Sequence, residues 1–543
     1  MNLIEHLLRD LRGCARCGFF GVLVGLMALL LPGCDGPQLQ PWHTEVLTAE
    51  FTADKVDEVQ TFEDYRRLEE RLFQQLEEKV YARTATGPAY KLVRYSKGSA
   101  ADPMVREPNW NRSFELPVEN PAGGVLLLHG MSDSPYSLRA LGQALQRSGF
   151  WVIGLRLPGH GTAPSGLLSV QWEDMAAAVR LGAVHLAARI GLLPIHLVGY
   201  SNGGALALDY TLSALEGSGL PVPASLVLIS PAVGVHPSAA LAGWMRALSV
   251  LPGLGRLAWL SVEPEFDPFK YNSFPTNAGE QVHRITRSVS RRLEARVRSQ
   301  PGMVLPPTLV LQSSVDATVL PDAVVDRLLN LLGPNGHELV LFDSNRSAAI
   351  SILLVADPHA LTNRLLGDDQ LPFAVTIVSN QDPASAAVVA HRKGPFSAAI
   401  SEIQPLNLAW PRGVISLSHV ALPFPPDDPL YGERPPADDT ILFLGYLPIQ
   451  GERGLFALSS DWLLRLRHNP FYTYLEERVL AWIESPGGGE GSARAAGLSI
   501  AAASQPGKAL TQRSLCQTPP QWGGMSSRSS SSRLTKTSPA VRK

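Results

Sequence analysis

Cysteine is nearly absent from this sequence: there are four among 543 residues, at positions 14, 17, 34 and 516. That is too few for a disulfide framework, so the fold must rest on a buried core rather than on cross-links. Cys14 and Cys17 form a Cys-x-x-Cys pair, but no second pair or neighbouring histidine completes a four-ligand metal site. An excess of either charge is also missing. The 47 basic and 49 acidic residues leave a formal net charge of -2, which gives no field to attract nucleic acid or an acidic partner. The apolar run from Phe19 to Leu31 is short of the roughly 20 residues that cross a bilayer core comfortably. What is present is 45% apolar residues with 44 prolines and 47 glycines, a globular composition rich in loops. The length suits one large domain with insertions, or two domains.

Arg9, Arg12 and Arg16 precede the Phe19 to Leu31 run, which ends at Leu31-Pro32-Gly33-Cys34. A basic start, a short apolar stretch and small residues at its end predict a signal peptide over residues 1–33. The ending resembles a bacterial lipobox, which implies cleavage before Cys34 and lipidation of that cysteine; an uncleaved anchor or a plain signal peptide are the alternatives. Asp35, by resemblance to enterobacterial lipoproteins, implies retention at the inner membrane, facing the periplasm.

Residues 34–120 read as an N-terminal arm. Within it Tyr65, Leu68, Leu72 and Leu76 recur at steps of three and four, which predicts an amphipathic helix, either a stalk or an arm packed on the main domain. From about residue 121 apolar runs alternate with helical patterns. The runs are Val125 to Leu128, Trp151 to Leu155, Ile195 to Val198, Leu226 to Ile229, Leu309 to Gln312 and His337 to Phe342. Helical patterns cover Ser137 to Ser148, Trp172 to Ile190 and Ala205 to Leu215. This alternation predicts an α/β domain over 121–484, with a mostly parallel central sheet and helices on both faces. Two stretches interrupt it: about 231–307, rich in aromatics and expected to be a cap, and about 344–412, an insertion with its own strand-like run at Phe373 to Val378. Asn469 to Ile483 reads as a last helix. The tail at 485–543 carries eight basic residues and one acid in a Gly, Ser, Ala and Pro background; it is expected to be disordered, either solvated or touching anionic lipid.

One constellation carries chemistry. Gly199-Tyr200-Ser201-Asn202-Gly203 lies between an apolar strand and a helix, the setting in which a sharp turn exposes a nucleophilic serine. A serine hydroxyl needs a base, an acid to orient that base, and donors for the oxyanion. The amides of Asn202, after the serine, and Met131, in the His129-Gly130-Met131 turn after the Val125 strand, are the expected oxyanion donors. His129 itself is expected to shape that turn. Asp316, in the loop after the Leu309 strand, is the expected acid. For the base, His337 precedes its strand and would sit on the wrong sheet edge, and His359 and His391 have no clear strand before them. His419 follows the apolar run from Val414 to Leu417 and is the expected base, although 103 residues separate it from Asp316.

Leu126-Leu127-Leu128-His129-Gly130, Leu157-Pro158-Gly159-His160-Gly161-Thr162, the Ser201 pentapeptide and Asp316-Ala317-Thr318-Val319 resemble the α/β-hydrolase superfamily, in its branch of monoacylglycerol lipases, lysophospholipases and serine aminopeptidase-like proteins. The long stretch before His419 departs from that pattern. The resemblance implies hydrolysis of esters, with lipid among the candidate substrates, through an acyl-enzyme and without metal or cofactor. An acyltransferase or peptidase on the same triad, and a non-catalytic envelope lipoprotein that keeps the fold, are the other readings.

Overall fold

The computed structural model describes residues 37–234, 255–299, 305–343, 359–410, 417–437, 442–445 and 466–485. Cys34, the expected signal peptide, Trp244, most of the Val414 to Leu417 run and nearly all of the basic tail lie outside these residues. Among the described residues no helix is long and apolar enough to cross a membrane.

The expected amphipathic segment is helix α1 (Phe62–Lys79). Thr61 caps it by accepting the Asp64 amide at 3.1 Å, while Asp64 accepts the Thr61 amide at 3.0 Å, so two orphan amides of the first turn are satisfied. Tyr65, Leu68, Leu72 and Leu76 are all buried. The Tyr65 hydroxyl donates to the Arg156 carbonyl at 2.7 Å, and the buried Arg156 guanidinium pairs with Glu69 of α1 and with Glu50. The helix is thus an arm on the main domain.

Strands β1 (Phe114–Leu116), β2 (Gly123–Leu128), β3 (Phe150–Leu155), β4 (Ile195–Tyr200) and β5 (Ser225–Ile229) precede a small ribbon of β6 (Trp259–Ser261) and β7 (Phe274–Pro275). Then come β8 (Thr308–Ser313), β9 (Glu338–Asp343), β10 (Ala374–Asn380), β11 (Ala387–Lys393) and β12 (Ile400–Ala409). Apart from the ribbon they form one sheet in the order β1-β3-β2-β4-β5-β8-β9-β10-β11-β12. Every pair from β3 to β10 is parallel; β1, β11 and β12 add antiparallel edges.

Helices α2 (Arg139–Arg147), α3 (Trp172–Ile190), α4 (Asn202–Leu215), α5 (Thr276–Ser299), α6 (Pro321–Arg327), α7 (His359–Gly367) and α8 (Tyr472–Glu484) complete the layers. Strands β2, β4, β5, β8 and β9 are buried along their whole length, because both faces of the sheet are covered there. Along β2, Leu126 and Leu128 enter one core with Val179 and Leu186 of α3 and Leu206 of α4, while Val125 and Leu127 enter the other with Leu141 of α2 and Val479 of α8.

Three differences from the sequence reading matter. The end of the expected N-terminal arm contains edge strand β1, which pairs with β3. The second half of the expected cap is α5, whose Ile285, Val289 and Leu293 are buried in the core shared with α4. Their spacing of four residues lays one stripe along a charged helix. Within the stretch expected as an insertion, residues 374–409 continue the sheet: β10 pairs parallel with β9 in the register Ala374 to Glu338, and β11 and β12 follow.

Candidate active site

Strand β4 ends at Tyr200 and α4 starts at Asn202, so Ser201 turns the chain alone, with φ 54° and ψ -115°. A non-glycine residue there is strained by about 1–3 kcal/mol and needs support from its surroundings. The support is local: the Ser201 amide donates to the Ile229 carbonyl at 2.9 Å, and the Ser201 carbonyl accepts from Gly204 and Ala232, each at 3.0 Å. The turn is also too tight for side chains. A Cβ at Gly203 would stand 2.0 Å from the Leu128 carbonyl oxygen, and one at Gly199 2.4 Å from that of Gly203.

The Asn202 amide belongs to the first turn of α4, where no helical acceptor exists and the helix dipole is positive. Met131 lies in a turn held by the Asp133 amide on the Gly130 carbonyl, with Ser132 at φ 68°. The Ser132 carbonyl accepts the Tyr271 amide at 2.8 Å. Among the described residues neither the Met131 nor the Asn202 amide has an acceptor. Two N–H groups at adjoining turns suit an oxyanion.

His129 is buried, touches the Gly130 carbonyl through Nδ1 at 2.9 Å and accepts the Leu157 amide at Nε2. Both ring nitrogens are therefore used in shaping the turn, and burial holds its pKa well below the usual range. His160, of the Pro-Gly-His-Gly-Thr loop, bonds the Pro158 carbonyl through Nδ1 and is pushed down to about 4 by burial. Both are neutral structural histidines.

Asp316 follows β8, which runs parallel to β4 with β5 between them, so it emerges at the same sheet edge as Ser201. Four donors converge on its buried carboxylate. Oδ1 accepts the Thr318 and Val319 amides, each at 2.9 Å; Oδ2 accepts Gln312 Nε2 at 3.0 Å and His419 Nδ1 at 2.8 Å. His419 begins a short 3-10 turn (His419–Ala421). Its segment is tied to the other two loops: Ser313 Oγ at the end of β8 donates to the Leu417 carbonyl at 2.7 Å, and the Tyr200 hydroxyl to the His419 carbonyl at 3.4 Å. The Tyr200 ring also lies 5.2 Å from the imidazole.

The other histidines separate clearly. His337 sits before β9, where its Nδ1 accepts the Thr308 amide at the start of β8, on the opposite edge. His391 lies within β11, opposite Ile377. His359 opens α7 and approaches Asp343, at the end of β9, through Nδ1 at 3.4 Å. That second carboxylate–imidazole pair is longer and more open than the first, and Asp343 also accepts Thr362 Oγ1 at 2.8 Å. Among the described residues no three His, Cys, Asp or Glu side chains gather as a metal site.

Sequence reasoning missed the groups that fasten the loops together. Asp428, 1% exposed at its side chain, accepts the Leu430 and Tyr431 amides, the Tyr136 hydroxyl and Arg139 Nη2, all at 2.9 Å. It joins the His419 segment to the element after the oxyanion turn. Phe269 stacks on Tyr136 at 3.9 Å and the Tyr431 hydroxyl donates to Asp267 Oδ1 at 2.6 Å, which adds the loop before α5. The Asp-Asp-Pro-Leu-Tyr-Gly run, with an aspartate two residues ahead of a turn, was the available signal.

A model of the family described as serine aminopeptidase, S33, matches residues 119–346. Over 204 residues the chain is 28% identical to a thermostable monoacylglycerol lipase of Bacillus sp. (strain H-257), covering 38% of this chain and 74% of that protein. Solved structures similar to it include the metagenome-derived lipolytic enzymes LipS and LipT, at 22% identity over 43% of this chain and 88% of that one, with a TM-score of 0.35. The monoacylglycerol lipase of Paleococcus ferrophilus is 19% identical over 42% and 87%, with a TM-score of 0.33. The family match spans β2 to β9, which include the strands that carry the Ser201 turn and Asp316, and over that span the chain is similar to serine aminopeptidase and monoacylglycerol lipase sequences.

Proposed function

We propose that this protein is a serine hydrolase that cleaves carboxylic esters through an acyl-enzyme. The observation that carries this reading is the buried 2.8 Å contact between His419 Nδ1 and Asp316 Oδ2, at the sheet edge where the strained Ser201 turn emerges. The carboxylate keeps the proton on Nδ1, so Nε2 presents a lone pair as base. Nε2 takes the Ser201 hydroxyl proton as Oγ adds to the acyl carbonyl. The Met131 and Asn202 amides hold the resulting oxyanion. Collapse breaks the ester C–O bond, and the imidazolium returns its proton to the departing alcohol oxygen. Water then adds to the acyl-serine with the same base and releases the acid. The lipase relative and the family match support ester chemistry.

Labelling by a fluorophosphonate probe tests the reading. Wild type should label, and Ser201→Ala and His419→Ala should not. An unlabelled wild type would refute the enzyme, and a labelled His419→Ala beside a silent His337→Ala would move the base. Acyl transfer in place of hydrolysis would appear as new ester product with an alcohol acceptor, or new amide with an amine acceptor, when either competes with water.

Cys34 is proposed as a lipid anchor that holds the protein in a bacterial envelope, at the inner membrane and facing the periplasm. Its support is the sequence alone. Palmitate incorporation should disappear in Cys34→Ser; incorporation that survives the change refutes it.

A further inference from the structure

The Met131 amide is aimed by whatever holds the far end of its peptide. A planar trans peptide points its N–H and C=O in opposite directions, so the donors on the Gly130 carbonyl fix the direction of the Met131 N–H. Two are present: His129 Nδ1 at 2.9 Å and the Asp133 amide at 3.3 Å. The Asp133 amide is the last link of a relay. It shares its peptide with the Ser132 carbonyl, which accepts the Tyr271 amide at 2.8 Å. The Tyr271 amide in turn shares its peptide with the Lys270 carbonyl, which accepts Nη1 of Arg94 at 3.3 Å. Three peptides are thus joined head to tail, with a guanidinium at one end and the Met131 N–H at the other. Linked hydrogen bonds polarise one another, which strengthens the final donor as well as directing it.

Arg94 is firmly held in this place. It belongs to the N-terminal arm, outside the residues 119–346 of the family match, and is 1% exposed. Nη1 also reaches the Asp267 carbonyl at 3.2 Å, and Nη2 the Gly161 carbonyl at 3.4 Å. The guanidinium lies 5.5 Å from the ring centroid of Tyr95 and 5.2 Å from that of Tyr271. Glu265 is the carboxylate of this cluster. Its carbonyl accepts the Arg94 amide at 2.8 Å, and its carboxylate oxygens accept the Asn272 and Ser273 amides. Every hydrogen bond of the guanidinium among the described residues ends on a backbone carbonyl, so it fixes the shape of the loop before α5.

We propose that Arg94 is a positioning residue for ester cleavage: through the Tyr271 and Asp133 amides it aims the Met131 N–H at the oxyanion. The inference rests on the ester-hydrolase reading above. Removing an oxyanion donor outright costs about 10²–10³ in kcat, and a donor that is misaimed beside an intact Asn202 amide should cost less, about fivefold or more.

Arg94→Met and Arg94→Lys, in the full chain, test it beside wild type. One aliquot of each is titrated with a fluorophosphonate to count reactive serines. A separate, unlabelled aliquot is assayed with nitrophenyl butyrate against two inhibitors, an alkyl trifluoromethyl ketone, which adds to the serine as a tetrahedral oxyanion, and the matching methyl ketone, which binds without adding. In Arg94→Met, kcat per reactive serine should fall, and the ratio of the trifluoromethyl ketone Ki to the methyl ketone Ki should rise, each by about fivefold or more. Arg94→Lys keeps a charged donor and should lie between Arg94→Met and wild type. A Ki does not depend on how much of a preparation is folded, so a loss of intact molecules does not imitate the effect. Smaller changes in the ratio overturn the positioning role, even where the yield of reactive serine drops. Both inhibitors weakening together would assign Arg94 to binding the acyl group and overturn it as well. If neither variant yields a reactive serine, Arg94 serves folding alone and the proposal fails. Wild type that neither reacts with the probe nor hydrolyses the ester overturns the hydrolase reading itself.

Discussion

Asp316→Asn separates the orienting role of the carboxylate from the mere presence of a polar side chain. Four donors meet at this residue, two at each oxygen. A carboxamide keeps one oxygen, so either placement fails. With the oxygen toward Thr318 and Val319, the new NH2 faces Gln312 and His419 and forces His419 to accept at Nδ1. The proton then sits on Nε2, toward the serine, where a base is needed. The opposite placement turns the NH2 against two backbone amides. In a Ser-His-Asp triad the wrong tautomer lowers kcat by about 10⁴, or about 5 kcal/mol of transition-state stabilisation. The folded state should lose about 1–3 kcal/mol from the unsatisfied buried donors. Steady-state hydrolysis of a nitrophenyl ester, beside denaturant unfolding, measures both quantities. A folded Asp316→Asn protein with kcat within tenfold of wild type would refute the assignment of Asp316 and of the His419 geometry with it.

His359→Ala should leave kcat within about threefold of wild type, because its contact with Asp343 is longer and more solvent-accessible than that of His419; a loss near that of His419→Ala in the same esterase assay would make the second pair the operative one. Gly203→Ala should yield little soluble, active protein, since its methyl would collide with the Leu128 carbonyl oxygen in the turn that forms the site; normal soluble yield and activity would count against the elbow geometry. Burial pushes the Glu265 carboxyl up to about 7. Its folded form therefore holds a proton that the unfolded chain releases at about 4.5, so its contribution falls as pH rises between those values, by up to about 1.4 kcal/mol per pH unit. Unfolding free energies measured from pH 4.5 to 8 should decline less steeply in Glu265→Gln, and identical slopes would refute the shift.

Strands β2, β3, β4, β5, β8 and β9 were readable because each holds an uninterrupted apolar run between turns, a pattern that burial on both faces imposes. The Ser201 turn and the Asp316 loop were readable for the same reason: each sits at the carboxyl end of such a strand. The added strands obey no such rule. Most of β12 is exposed, and it contains Pro405, a residue that belongs to sheet edges, so neither apolar run nor alternation marks it. Helix α5 was hidden by the aromatic residues that precede it, which drew the whole stretch into the expected cap. The fastening groups, Ser313 on Leu417 and Asp428 on Arg139, join residues 104 and 289 positions apart. No local pattern encodes a partner at that distance. His419 was selected in the sequence only by asking which histidine an expected strand would carry to the correct edge, and residues 414–416 lie outside the described part of the chain.

The long interval before His419 also sets an order in time. A ribosome adding about 5–20 residues per second reaches His419 roughly 5–20 s after it has made Asp316, 103 residues earlier. During that interval Ser201, the Met131 and Asn202 amides and Asp316 already exist, and His419, the proposed base, does not. Hydrolytic power would therefore be acquired last, as the late segment closes over Ser313 and Arg139. A growing chain, or one that terminates before residue 419, would carry the Ser201 turn without its proposed base.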